Sequence, residues 1–120
     1  MKPRDAALKA KRFDTSEKGR KVASLESMIR DFELMTSDLS RQIGAEEERT
    51  GVKDPAHFAY STFAKAAAQR RANLMVSVAD LKAKLDVARR DYEDAAQELS
   101  KLEPVEDRML HKADSRAIAS

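Results

Sequence analysis

Cysteine is absent from this chain of 120 residues, which removes any disulfide framework, thiolate nucleophile or cysteine-ligated metal. That absence suits a reducing compartment. Histidine is scarce: His57 and His111 are the only two, and a metal would need more ligands than these. No apolar run approaches the roughly 18 residues of a membrane span. The opening MKPRDAALKAKRF lacks the continuous apolar stretch of a signal peptide, so the expected location is cytoplasmic. Four phenylalanines, two tyrosines, three glycines and three prolines are few for an ordinary globule.

What the chain has instead is charge and good helix formers. Ala, Leu, Lys, Arg, Glu and Asp dominate, and 37% of the residues are charged, the composition of long helices rather than of a thick core. The net charge is only +2, yet residues 1–21 hold eight Lys/Arg against three Asp/Glu, which leaves the remainder mildly acidic.

From Tyr60 to Leu102 one seam recurs at alternating steps of four and three: Tyr60, Ala64, Ala67, Arg71, Leu74, Val78, Leu81, Leu85, Ala88, Tyr92, Ala95, Leu99, Leu102. A helix with so narrow an apolar stripe cannot make a core alone and needs a partner helix. The first half of the chain supplies one, with Val22, Leu25, Ile29, Phe32, Thr36, Leu39, Ile43 and Glu46 on its own seam. Asp5, just after Pro3, reads as the N-cap of this helix, and Gly51 after Thr50 as its left-handed C-cap. Gly19 and Gly44 each cost the helix about 1 kcal/mol relative to alanine, and a hinge at either is open. Between the helices lies GVKDPAHFAYST, where Asp54-Pro55 opens a short helical turn and Ser61 or Thr62 caps the second helix.

The predicted fold is therefore all-α: an antiparallel coiled-coil hairpin with helix 5–50, bend 51–61 and helix 62–103. A bend of this length turns a chain back on itself but is too short for a separate domain. At ~1.5 Å per residue each arm spans on the order of 60 Å. About a bend near residue 55, facing residues have numbers summing to about 110, so that Val22 meets Ala88, Leu25 Leu85, Ile29 Leu81, Phe32 Val78 and Thr36 Leu74. Towards the bend the layers become small or polar: Leu39 with Arg71, Ile43 with Ala67, Glu46 with Ala64. Arg71 can lay its methylenes on the seam and turn its head outward.

Towards the termini Lys11 and Lys18 fall opposite Leu99 and Tyr92, Thr15 opposite Ala95, and Leu8 opposite Leu102. A shifted register with Ala6, Ala10 and Phe13 on the seam is equally compatible with the sequence. Pro104 is expected to break the second helix, Val105 to His111 to form a further short helical stretch, and Ala113 to Ser120 to be a disordered tail.

Catalysis finds little to use, since the carboxylates lie on helix faces without a cleft and His57 reads as an exposed or locally capping residue. No enzyme activity, cofactor or metal is expected. The run Glu46-Glu47-Glu48-Arg49 reads as a solvated face or a contact for a basic partner. The basic arm of Lys9, Lys11, Arg12, Lys18, Arg20 and Lys21 suits an acidic protein surface, anionic lipid or nucleic acid. It equally suits a solvated face interleaved with Asp14 and Glu17. Nucleic acid is not the expected partner, because no aromatic is interleaved as a stacking platform and no binding motif is present. Phe58, Tyr60 and Phe63 cannot all be buried in a two-helix hairpin, and read either as a plug for the turn or as a partner-binding patch.

Lys11-Arg12-Phe13, EKGRKVA at Glu17 to Ala23, AEEERTG at Ala45 to Gly51, and above all DPAHFAY at Asp54 to Tyr60 followed by Phe63-Ala64 form a recognisable set. With them, about residues 2 to 103 of the chain resemble the FliJ family of bacterial flagellar type III export proteins, in its alphaproteobacterial branch. Two departures are Ser61, where relatives often have proline, and Pro104 with a short tail in place of a longer charged helical extension.

The resemblance implies a monomeric, non-enzymatic component at the cytoplasmic face of the cell membrane at the flagellar base, built like the central stalk of rotary ATPases. Its implied partners are the hexameric export ATPase, met by the helical termini, and the membrane export gate, met by the coiled coil; it would also escort export substrates and recycle their chaperones. The residues here that suit the ATPase contact are Lys11, Arg12, Lys18, Tyr92 and Leu99. Those that suit the gate are Phe58, Tyr60 and Phe63. Two other readings stand beside it: a generic structural coiled coil that dimerises through Tyr92, Leu99 and Leu102, and a basic hairpin with salt-sensitive nucleic-acid binding.

Overall fold

The two seams find each other. A computed structural model describes residues 3–103, which form α1 (Pro3–Thr50) and α2 (Thr62–Leu102) joined by a bend, an all-α helical hairpin. α1 begins two residues earlier than the sequence suggests. Pro3 takes an opening helical position, where its missing N–H would be unpaired in any case, and Asp5 lies in the first turn instead of capping it. There its carboxylate faces the positive end of the helix dipole. α2 ends at Leu102, one residue short of expectation. Pro104, the stretch from Val105 to His111 and the tail lie outside the described residues.

Neither Gly19 nor Gly44 interrupts α1. Gly51 does end it, at φ 74°, with its N–H donating to the carbonyl of Glu47 at 2.9 Å. A side chain there would be strained in the left-handed region. Thr50 Oγ1 accepts the next N–H, from Val52, at 3.2 Å. On the far side of the bend Ser61 caps α2: its Oγ accepts from Ala64 N–H at 3.1 Å, and its carbonyl accepts from Lys65 N–H at 3.0 Å.

Contacts group into two units, residues 24–85 and residues 3–23 with 86–103. In the first, Leu25, Ile29, Leu39, Ile43, Ala64, Ala67, Leu81 and Leu85 are buried, and Phe32, Thr36, Leu74 and Val78 are half-buried, so every buried position lies on a predicted seam. Near the bend Leu39, Ile43, Ala64 and Ala67 cluster, with Tyr60, Ala68 and Leu74 against them. Ala64 has no exposed surface, and a larger side chain there would overpack the contact. Arg71 is half-buried at its seam position and donates from Nη1 to Ser40 Oγ at 3.1 Å, so its stem covers the seam while its head leaves it.

In the other unit the lysine register holds. Leu8, Thr15, Ala88, Ala95 and Leu99 are buried and Lys11, Lys18 and Val22 half-buried, whereas Ala6, Ala10 and Phe13 are exposed, Phe13 by 68%. Counting back from Val22 through Lys18, Thr15 and Lys11 to Leu8 keeps the four-three alternation, which a seam through Phe13 would break. Thr15 satisfies its hydroxyl by donating to the carbonyls of Lys11 at 2.8 Å and Ala95 at 3.4 Å. The expected Leu8–Leu102 layer is buried on one side only, since Leu102 remains 42% exposed. Gly19 makes room for Tyr92: a Cβ there would stand 3.2 Å from Tyr92 Cε2.

Leu81→Ala is expected to lower unfolding free energy by about 2–4 kcal/mol through lost burial and an unfilled seam. Leu34→Ala, at an exposed position on α1, should stay within about 0.5 kcal/mol. Urea denaturation followed by circular dichroism measures both, and equal losses would contradict the seam assignment.

Candidate partner-binding surfaces

The three bend aromatics divide. Tyr60 packs on the Leu39–Ile43–Ala64–Ala67 cluster and its hydroxyl donates to Glu47 Oε2 at 2.8 Å, so it plugs the turn. Beside it Ser61 Oγ donates to Glu46 Oε1 at 3.0 Å, a second polar tie between the start of α2 and the end of α1. Glu46 is also ion-paired with Arg49, and Glu48 with Lys53 at 2.8 Å, so the acidic run is largely occupied within the bend. Phe58 is 96% exposed and Phe63 55% exposed. Neither contributes to the buried cluster, which leaves both available as surface.

Phe58 sits on an ordered backbone. Asp54 Oδ1 accepts from Ala56 N–H at 2.9 Å, and the N–H of His57 donates to the Asp54 carbonyl at 3.0 Å. The imidazole of His57 accepts from Ala59 N–H through Nδ1 at 3.0 Å and stacks against the Phe58 ring, centroids 4.7 Å apart. His57 is thus the local cap that its place after Pro55 suggests.

The basic arm is more internally paired than its sequence implies. Lys11 pairs with Glu98 across the helices and reaches Asp14 at 3.6 Å; Lys18 pairs with Asp14 at 2.9 Å; Arg12 lies 3.9 Å from Glu103. Arg20 pairs with Glu17 at 2.8 Å. Lys9 and Lys21 are exposed, and among the described residues no ion pair engages them. Leu99 is buried and supports this unit from within; Tyr92, 39% exposed, lies over Gly19. The structure therefore brings Lys11, Lys18 and Arg12 into ion pairs, leaves Tyr92 partly open and covers Leu99.

Sequence reasoning overlooked two surfaces in the unit of residues 24–85. One is an open groove of about 460 Å³ lined by Glu33, Thr36, Ser37, Met75, Val78 and Lys82, at the rim of which Lys82 lies 3.6 Å from Glu33. The other is the exposed pair Met28 and Met35, seven residues apart on one face of α1, off the seam and without a motif to flag it. Among the described residues no cluster of His, Asp or Glu could hold a metal ion, and no helix is long and apolar enough to cross a membrane.

Comparison with models of protein families, with curated proteins and with solved structures finds no match to this chain.

The ion pairs set a pH window for stability. Hydrogen bonds from Lys18, Arg49, Lys53 and Lys11 hold the carboxyls of Asp14, Glu46, Glu48 and Glu98, respectively, below their ordinary values of 3.8 for Asp and 4.5 for Glu. A carboxyl more acidic when folded stabilises fully above its unfolded value and loses that contribution as pH falls through the folded one. Donation to Glu47 raises the Tyr60 phenol above 10.0, and the bond to Glu98 raises Lys11 above 10.5, contributions present at neutral pH and lost as pH rises through the raised values. Through these groups the melting temperature should therefore fall in acid below about pH 5 and in alkali above about pH 9. Tyr60→Phe should lower the neutral melting temperature and weaken the alkaline fall, while Phe58→Ala should leave it within about 1 °C. Differential scanning calorimetry across pH checks all three.

Proposed function

We propose that this chain is a non-enzymatic component of flagellar type III protein export, coupling the hexameric export ATPase to the membrane export gate and helping to escort substrates and their chaperones. The observation that carries the reading is the DPAHFAY bend. The motif on which the resemblance to the FliJ family chiefly rests forms a hydrogen-bonded turn, and its Phe58, stacked on His57, stays 96% exposed. A solvent-facing phenyl on a braced backbone is what a protein contact uses as an anchor. In this reading the gate meets Phe58 and Phe63, with Tyr60 beneath them holding the turn closed.

The basic arm, in the unit of residues 3–23 and 86–103, supplies a second surface of different chemistry. The ATPase meets Lys9, Arg12, Lys18 and Lys21 with Tyr92 alongside, while Lys11 and Leu99 contribute by keeping the two helices together. Working at the cytoplasmic face of the membrane, the protein needs no span of its own.

Lys9→Glu with Lys21→Glu alters charge without breaking a described ion pair. At low salt this double variant should weaken binding to the export ATPase about tenfold and leave binding to the gate's soluble domain unchanged. Calorimetric titration against each partner measures it, and an unchanged ATPase affinity would overturn the assignment of that surface. The exposed edges of Tyr92 and Leu102 favour one other reading, a dimerising coiled-coil adaptor without an export role. Sedimentation equilibrium that fits a monomer at all concentrations would remove it.

A further inference from the structure

The bend uses one device twice. Asp54 accepts a hydrogen bond from the N–H two residues on, at Ala56, and His57 accepts one from the N–H two residues on, at Ala59. Asp54-Pro55-Ala56 and His57-Phe58-Ala59 are therefore consecutive side-chain-capped turns, linked by His57 N–H to the Asp54 carbonyl and followed by Tyr60 N–H to the His57 carbonyl, each at 3.0 Å. Asp and Asn form such turns readily because a side-chain oxygen reaches that N–H. Here the second turn substitutes an imidazole nitrogen, and the residue at its centre is the exposed Phe58.

That substitution ties the turn to a proton. For Nδ1 to accept from Ala59, the neutral ring must carry its hydrogen on Nε2. A proton added at Nδ1 turns the acceptor into a donor pointed at another donor, and the turn loses its closing bond. Imidazole is the ordinary side chain that changes charge between about pH 5 and 8. Of the charged and titratable groups around the bend, Asp54 is engaged by Ala56, Lys53 by Glu48, Glu46 by Arg49 and Ser61, Glu47 by Tyr60 and Arg71 by Ser40, while Lys65 in the first turn of α2 is exposed.

We propose that His57 is a proton-sensitive brace for Phe58: with the imidazole neutral the bend presents Phe58 to an apolar pocket with a basic rim on a protein partner, and protonation withdraws it. The rim follows from charge. Residues 46–60 carry four carboxylates, Glu46, Glu47, Glu48 and Asp54, against two cations, Arg49 and Lys53, both of which are already paired inside the bend. The surplus is negative, which complements a basic surface and disfavours an anionic bilayer. The identity of the partner rests on the export reading above; the behaviour of the turn does not.

Two measurements on the full chain separate these parts. In amide NMR spectra recorded from pH 8 to pH 5, the Ala59 resonance should move and its hydrogen exchange accelerate in step with titration of the His57 ring. His57→Asn keeps an acceptor at the same spacing and should abolish that pH dependence. An Ala59 amide indifferent to His57 titration overturns the brace. In the second, binding to the soluble domain of the export gate, Phe58→Ala should lose at least tenfold in affinity at pH 8. The unmodified chain should weaken on going to pH 5, and His57→Asn should not weaken beyond any drift that the gate domain shows by itself. Absence of binding by the unmodified chain overturns the export reading and the docking part with it, while the Ala59 data still decide the brace. Phe58-dependent binding to phosphatidylglycerol vesicles would overturn a protein pocket as the target.

Discussion

Everything in this molecule depends on the four-three spacing of its seam residues. A helix that offers only that stripe gains nothing from folding until the stripe is covered, so α1 and α2 stabilise each other or neither forms. The constraint reaches residues that look unsuited to it. Thr15 and Arg71 occupy seam positions because the spacing puts them there, and each solves the polar problem locally, Thr15 by donating to backbone carbonyls and Arg71 by sending its guanidinium out to Ser40. Ala64, with no exposed surface, shows the opposite solution, a side chain small enough for the partner helix to close over it.

The seams, the bend and its caps were legible in the sequence because each rests on a rule that acts within a few residues: periodicity for the buried positions, a left-handed glycine at 51, a hydroxyl cap at Ser61. What was ambiguous was decided by continuity over longer distances. Ala6, Ala10 and Phe13 are individually more apolar than Lys11, Thr15 and Lys18. Even so, the phase set by Val22, Leu25 and Ile29 carries the lysines onto the seam, where their long stems tolerate burial and their heads reach Asp14 and Glu98. Asp5 is not the cap for a different reason: the helix already includes Pro3, whose fixed φ suits an opening position, so Asp5 falls within the first turn.

The candidate surfaces were harder to foresee, because exposure of a seam residue is a property of the pair of helices. Leu99 reads as sticky in one dimension and is covered in three, while Tyr92 settles against α1 with part of its ring open, because Gly19 offers no side chain to lift it further. At the bend, Phe58, Tyr60 and Phe63 look equivalent in sequence. Tyr60 alone combines a body that fits the Leu39–Ile43 cluster with a hydroxyl that finds Glu47. The Nδ1 bond of His57 had only a faint signal, the echo of Asp-x-Ala in His-x-Ala.

The same spacing sets which length changes the chain can accept. One residue inserted into α1 would turn every side chain beyond it by about 100° and carry the following seam off its partner. An insertion of seven in one arm restores the phase but leaves an uncovered stretch unless the other arm gains seven as well. The loop itself, whose own hydrogen bonds span two or three residues, is not bound by that arithmetic. Viable length variants of this hairpin should therefore differ by matched heptads in the two helices, with unmatched single-residue changes confined to the loop between Gly51 and Ser61.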